Sequence, residues 1–179
     1  DFIMNGAKMW ITNATIAHAG VVWAKNVDDD EIQGFVVPME EHGVETRLQT
    51  GKLSLRASLT GEIFFDDVRL PASARLPGTV GRDLKGPLSC LNQARFGISG
   101  GVIGAAQSCY ETALNYSKDR KQFGKPFASF QLVQQKLAWM ATEITKAQLL
   151  ALRLARLKES DEATPPRVSM AKQNNVAIA

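Results

Sequence analysis

Cysteine and histidine are scarce, with two of each in 179 residues. Cys90 and Cys109 lie in apolar, helix-like stretches, which points to reduced thiols in a cytosolic or matrix compartment rather than a disulfide scaffold. His18 and His42 stand alone with no ligand spacing, so no metal site is expected. No apolar run reaches the roughly 20 residues that a bilayer span needs, and no leader pattern opens the chain. Charge of either sign is not in excess. The formal net charge is +3, too small to aim a strong field at nucleic acid or an acidic membrane. The basic clusters "KDRKQ" and "RLARLK" are short and read as solvated helix surface. There is no Ser-His-Asp set, no GxSxG, no P-loop and no GxGxxG. What remains is a chain that is 45% apolar, enough for one or two globular domains.

The spacing predicts an α+β multidomain fold: a β-barrel or sandwich portion over residues 1–75, a Gly-rich linker over 76–86, and an incomplete antiparallel helical bundle over 87–179. Asn5-Gly6, between "DFIM" and "AKMWIT", is a strong hairpin signal, because both central positions of a type I′ turn need positive φ. "GVVWAKN" and "QGFVVPM" make a second hairpin around the acidic tip "VDDDEI". "GVETRLQTG" and "GEIFFDDVRLP" continue the β pattern. After Pro87 the period changes, and one long helix is expected through "SKDR". Gly97, Gly100, Gly101 and Gly104 weaken it by about 1 kcal/mol each against Ala. So many glycines suggest close approach by a partner helix or ligand. A second helix is expected from about Ser129 to Lys158, with Val133, Leu137, Met140, Ile144, Ala147, Ala151 and Leu154 forming its buried seam. Pro166 can start a third. Two helices and part of a third do not close a bundle, and both ends of the chain read as cut from a longer polypeptide.

Three stretches carry chemistry. In "KMWITN", strand alternation puts Lys8, Trp10 and Thr12 on one face. A planar cofactor could pack on the indole while the hydroxyl bonds a ring nitrogen. Core packing of Trp10 is the stronger reading of that stretch taken alone. In "YSKDRKQFG", Arg120, Gln122 and Phe123 sit at a helix end before Gly124. The arginine could grip a phosphate and Phe123 could pack on a base. The competing reading is an ordinary C-terminal cap with cations at the negative end of the helix dipole. In "GPLSCLNQARFGI", Arg95 lies among apolar and small residues, either snorkelling outward or facing a ligand cavity.

Taken in order, "KMWITN", "LRASLTGEIFFDDVRLP" and "YSKDRKQFGKPFASFQLVQQKLAWM" resemble the acyl-CoA dehydrogenase family over essentially the whole chain. "SLRASLTGEIFFDDVRLP" and "LKGPLSCLNQARFGI" look most like its members that act on glutaryl-CoA, in lysine and tryptophan degradation. The resemblance implies a helical N-terminal domain, a middle β domain and a C-terminal four-helix domain, assembled as a homotetramer in the cytoplasm of a bacterium or in the mitochondrial matrix. It implies FAD as cofactor, an acyl-CoA thioester as substrate and an electron-transfer flavoprotein as electron acceptor, with no nucleic acid and no membrane. Trp10, Ile11 and Thr12 match the segment that packs on the flavin ring. Arg120 matches an arginine that contacts the ADP half of an FAD held mainly by a neighbouring subunit, with Gln122, Phe123 and Gln131 beside it. Leu88, Ser89, Cys90, Leu91, Asn92, Gln93, Ala94 and Arg95 match the acyl-CoA-binding segment, where Asn92 and Arg95 are the leading candidates. In some members a glutamate just before this arginine is the catalytic base. Here that position is Ala94, which cannot take a proton. The resemblance therefore puts the base and the arginine for a glutaryl carboxylate outside this chain, with no catalytic residue inside it. The chain alone is expected to be inactive.

By the same resemblance, a glutamate removes the α-proton of the thioester and the β-hydride passes to the flavin, whose hydrogen bonds to the thioester carbonyl acidify the α-carbon. Loss of carbon dioxide then gives crotonyl-CoA. Two rival readings remain. One is another short-chain acyl-CoA dehydrogenase, or an oxidase-type or non-catalytic flavin-binding relative. The other is a basic helical nucleic-acid binder, against which Lys136, Lys146 and Arg153 are spread thinly.

Overall fold

The computed structural model describes residues 1–179. The chain divides into two compact units, Asp1–Leu88 and Ser89–Ala179.

The first unit holds five strands: β1 (Phe2–Thr12), β2 (Ala19–Lys25), β3 (Ile32–Pro38), β4 (Val44–Leu48) and β5 (Thr60–Leu70). All pairings are antiparallel, in a three-stranded sheet ordered β1-β5-β4 and a separate β2-β3 hairpin. The sheets do not close into a barrel. Their apolar faces share one core of Met4, Val22, Phe35, Val37, Ile63, Phe65, Val68 and Leu70. At roughly 1.5–3 kcal/mol per buried large side chain, that core is the main force holding the unit together. The Lys8 ammonium donates to the Trp23 carbonyl at 2.9 Å, tying β1 to β2 where no strand ladder does.

The expected β2–β3 hairpin forms, with Ala19 opposite Pro38 and Lys25 opposite Ile32. The Asn5-Gly6 hairpin does not. β1 runs straight through both residues, because the segments on either side pair with β5 and not with each other. The register shifts there, from Met4 opposite Val68 to Gly6 opposite Phe65. Asp66 and Asp67 therefore oppose Asn5 alone, which is a β-bulge. The bulge takes the Asp67 N–H out of the ladder, and Asn5 Oδ1 accepts it at 2.7 Å. The buried residues of β5 record the same event. Ile63 and Phe65 alternate inward, then the phase slips to Val68 and Leu70.

A second shift corrects the face assigned to Lys8, Trp10 and Thr12. Lys8 opposes Ile63 and Ile11 opposes Gly61, so Met9 and Trp10 together face Glu62. The extra residue reverses the alternation, and Lys8 now shares a face with Ile11. Ile11 packs against the core. Trp10 does not join the core, being 63% exposed.

The second unit is built on three helices: α1 (Lys85–Asp119), all but its first four residues, α2 (Gln131–Glu159) and α3 (Pro165–Ile178). α1 starts two residues before Pro87 rather than after it, which puts the proline in the first turn, where its missing N–H costs nothing. Ile103 and Ala106 of α1 pack on Ile144 and Ala147 of α2. Leu154 of α2 packs on Val168 and Ala171 of α3, with Phe96 alongside. Small residues at these contacts let the backbones approach closely. The expected α2 seam is largely as read, while Leu132, Trp139, Leu149 and Leu152 on other faces stay exposed. Gly97, Gly100, Gly101 and Gly104 have open space around them, so nothing in this chain makes the close approach their number suggested. No helix is long and apolar enough to cross a membrane.

Candidate functional site

In the first unit the candidate residues follow the β1 bulge. Trp10 has φ 62, a left-handed conformation that is an outlier for a bulky side chain. The strand resumes at once, so the indole is turned out of the sandwich and presents an unpacked aromatic surface. Thr12 is exposed at the strand end and lines a pocket of about 400 Å³ with Lys8, Ile11, Val22, Trp23 and Met39. Ile11, between them, spends its side chain on the core.

In the second unit α1 stops at Asp119, and Arg120 lies just beyond it. Where the competing reading put an ordinary helix cap, the chain forms a miniature hairpin. Strand β6 (Lys121–Gln122) pairs with β7 (Lys125–Pro126), joined by the two-residue loop Phe123-Gly124. Both loop residues have positive φ, 51 and 75, as a type I′ turn requires. Phe123 sits at the tip and is 90% exposed. Its ring lies 6.3 Å from Phe130, edge-on, and Phe130 is 6.3 Å from Phe127. The Lys125 ammonium covers the Phe130 ring at 4.4 Å. Phe127, Phe130 and Lys125 were missed in the sequence, although "FGKPFASF" carries the signal: three aromatics within eight residues around a turn. Arg120 is exposed and joins none of the three ion pairs of the chain. A free cation beside an exposed aromatic tip suits a phosphate joined to a planar base. Gln122 is half-buried in β6, and Gln131 opens α2 on its exposed side.

Residues 88–95 occupy the first turns of α1. Leu88, Cys90, Leu91 and Ala94 are exposed. Gln93 Oε1 accepts from the Lys158 ammonium at 2.5 Å, and the same ammonium stands 4.9 Å over the Phe96 ring. That contact fastens the end of α2 to this segment. The Asn92 carboxamide oxygen is buried with no donor in the chain. An orphaned acceptor of this kind is costly unless a water or ligand supplies the hydrogen bond. Arg95 is half-buried and unpaired in any ion pair.

A family profile for the acyl-CoA dehydrogenase middle domain matches residues 1–68, and one for the acyl-CoA dehydrogenase C-terminal domain matches residues 85–177. The human mitochondrial short-chain specific acyl-CoA dehydrogenase is 36% identical over 175 residues, covering 96% of this chain and 42% of that protein. A crystal structure of glutaryl-CoA dehydrogenase from Mycobacterium smegmatis superposes with a TM-score of 0.93 at 52% identity, over 98% of this chain and 44% of that one. A second glutaryl-CoA dehydrogenase from that organism, in complex with FADH2, superposes with a TM-score of 0.93 at 48% identity, over 98% of this chain and 45% of that one. The chain thus spans less than half the length of these relatives. Its two units match two successive domains of one enzyme family, and the chain belongs to the acyl-CoA dehydrogenases.

Proposed function

We propose that this chain is part of an FAD-dependent acyl-CoA dehydrogenase that converts glutaryl-CoA to crotonyl-CoA and carbon dioxide. The observation that carries the substrate is the 52% identity to a glutaryl-CoA dehydrogenase over 98% of the chain, against 36% to the short-chain enzyme. The residues present fit a flavin dinucleotide. In the first unit Trp10 offers an exposed ring for a planar group and Thr12 a hydroxyl; in the second, separately, Phe123 offers an exposed ring and Arg120 an unpaired guanidinium for the phosphate of an FAD held mainly by a neighbouring subunit. When bound, FAD supplies the acceptor for the two electrons and the β-hydrogen that dehydrogenation removes.

The rest is positioning by this chain. Trp10 and Thr12 set the plane and orientation of the ring system. Arg120 reaches the phosphates of an FAD held mainly by a neighbouring subunit, and Phe123 shields them from water. Asn92 and Arg95 bind the thioester's CoA arm, the first through its undonated carbonyl and the second through its charge. Ala94 offers no proton acceptor, so the α1 segment binds and orients without taking the α-proton. An electron-transfer flavoprotein as acceptor and a homotetrameric assembly complete the proposal.

Anaerobic addition of glutaryl-CoA to the full-length gene product tests it, with visible flavin absorbance as the readout. Bleaching by glutaryl-CoA, and far less by butyryl-CoA, is expected. The reverse preference would favour the short-chain reading that the human relative supports, and a protein that takes up no FAD would end both. A second expectation concerns Arg120. A charged hydrogen bond contributes about 1.5–3 kcal/mol, so Arg120→Ala should weaken flavin retention by roughly tenfold or more. The flavin-to-protein absorbance ratio after dialysis measures it, and an unchanged ratio would remove Arg120 from the site.

A further inference from the structure

Eight residues other than glycine have positive φ. Five are Asn13, Asp30, Asp67, Asp83 and Asp161, whose short polar side chains tolerate the left-handed region. The other three are Trp10 (φ 62), Leu55 (φ 49) and Phe123 (φ 51). All three are large, apolar and exposed, at 63, 78 and 90%. Core packing therefore gives no return for the strain at any of them. The conformation persists because its flanks are over-determined. Lys8–Ile63 and Ile11–Gly61 pairs bracket Trp10, and Lys121–Pro126 and Gln122–Lys125 pairs bracket Phe123. Leu55 sits in a loop fastened by the Lys52 ammonium, which donates to Leu55 O at 2.9 Å and Thr60 Oγ1 at 2.8 Å.

We propose that the left-handed backbone at Trp10 and Phe123 is what turns each ring outward as a cofactor platform, and that the cofactor-free protein is less stable because of it. In an unbulged ladder Trp10 would share a face with Lys8, whose side chain reaches across to the β2 strand. The bulge takes the indole off that face. At Phe123 a two-residue turn normally filled by Asn or Asp carries an aromatic in their place. Each ring's direction is thus set by the backbone before any ligand arrives, which spares the ordering cost of binding. This inference rests on reading the two rings as flavin contacts. Leu55 has the same conformation and no part in that reading, so it is the internal control.

The test uses the full-length gene product with Gly and Ala variants at positions 10, 123 and 55. It reads the melting temperature of the cofactor-free protein and the rise in that temperature when FAD is added. Both substitutions delete the side chain, and only glycine relieves positive φ. Each Gly variant is expected to melt a few degrees above its Ala counterpart. The FAD-induced rise is expected to fall by half or more at positions 10 and 123, and to stay intact at 55. Gly variants that melt no higher than Ala variants would overturn the strain while leaving the flavin contacts standing. A full FAD-induced rise in the Trp10 and Phe123 variants would overturn the platforms whatever the melting order. Loss of that rise at Leu55 as well would show that the effect is not specific to the rings and would overturn the proposal too.

Discussion

Gly43→Ala should lower the melting temperature of the full-length protein by on the order of 10 °C or more. Gly43 has φ +89, and a Cβ placed on it would lie 2.1 Å from the Asp66 carbonyl oxygen. Two costs therefore add. Left-handed backbone in a residue with a Cβ costs about 1–3 kcal/mol. Overpacking costs about 1–3 kcal/mol, and the atom struck is main chain that cannot swing aside. Gly43 O also accepts the Asp66 N–H at 2.9 Å, directly before β4 enters its register with Val44 opposite Phe65. Any shift that clears the collision pulls at this register. At roughly 2–4 °C per kcal/mol for a chain longer than about 150 residues, a total near 4 kcal/mol gives the stated drop. Gly78→Ala is the matched control, since Gly78 has φ +73 and nothing within 4 Å of a built Cβ. It should show the backbone cost alone. Equal losses for the two variants, by thermal unfolding, would mean that contact with Asp66 contributes nothing.

Much of the fold was legible because most elements here obey one period each. The β2–β3 hairpin, β4, β5, the long α1 and the α2 seam all follow from alternation of two or 3.6. What was not legible is where a strand admits an extra residue. A bulge has no composition of its own. The only trace of the one at Asp66–Asp67 is that Ile63 and Phe65 fall out of phase with Val68 and Leu70. Asn5-Gly6 illustrates the cost. Its turn chemistry is real, but turn chemistry only permits a hairpin, and pairing of both flanks with β5 decided against it. The converse holds at Phe123-Gly124, where the true type I′ turn carries an aromatic that no turn preference favours.

The local geometry of the candidate residues was not legible from the pattern. The indole and hydroxyl allowed a planar cofactor and the arginine a phosphate, and only the family resemblance made these a flavin dinucleotide; alternation put Trp10 on the face of Lys8, and the bulge removes it. Reading "YSKDRKQFG" as a helix end hid the hairpin, and with it the cluster of Phe123, Phe127 and Phe130 that gives the tip its aromatic surface. Both errors have one physical source. The two exposed rings stand where the backbone departs from the regular conformation that pattern reading assumes.

In the helical unit the largest loss is expected at Asn175. This residue of α3 is fully buried, and its Nδ2 donates to Ser99 O of α1 at 2.7 Å and to Ala147 O of α2 at 3.4 Å. Its Oδ1 accepts from Asn174 at 3.0 Å. One amide thus ties together all three helices where small residues bring them close. Asn175→Leu keeps the volume and removes the donors, and should cost about 1–3 kcal/mol. Asn175→Asp keeps the shape but turns an oxygen toward two carbonyl oxygens in a site without solvent, and should cost more at neutral pH. The sign with pH follows. Burial against carbonyls raises the folded-state pKa of the new carboxyl above its unfolded value, because only the protonated form can donate. The penalty is then largest above the folded pKa and shrinks as the pH falls toward the unfolded value. Denaturant unfolding of the Asp variant at neutral and mildly acid pH, compared with wild type and Leu at each pH, measures it. A Leu loss that stays constant relative to wild type while the Asp loss narrows on acidification is the expected pattern. Parallel Asp and Leu losses at both pH values would mean that the carboxylate is not disfavoured there, and a Leu variant as stable as wild type would mean that the amide donors at Asn175 do not hold the three helices together.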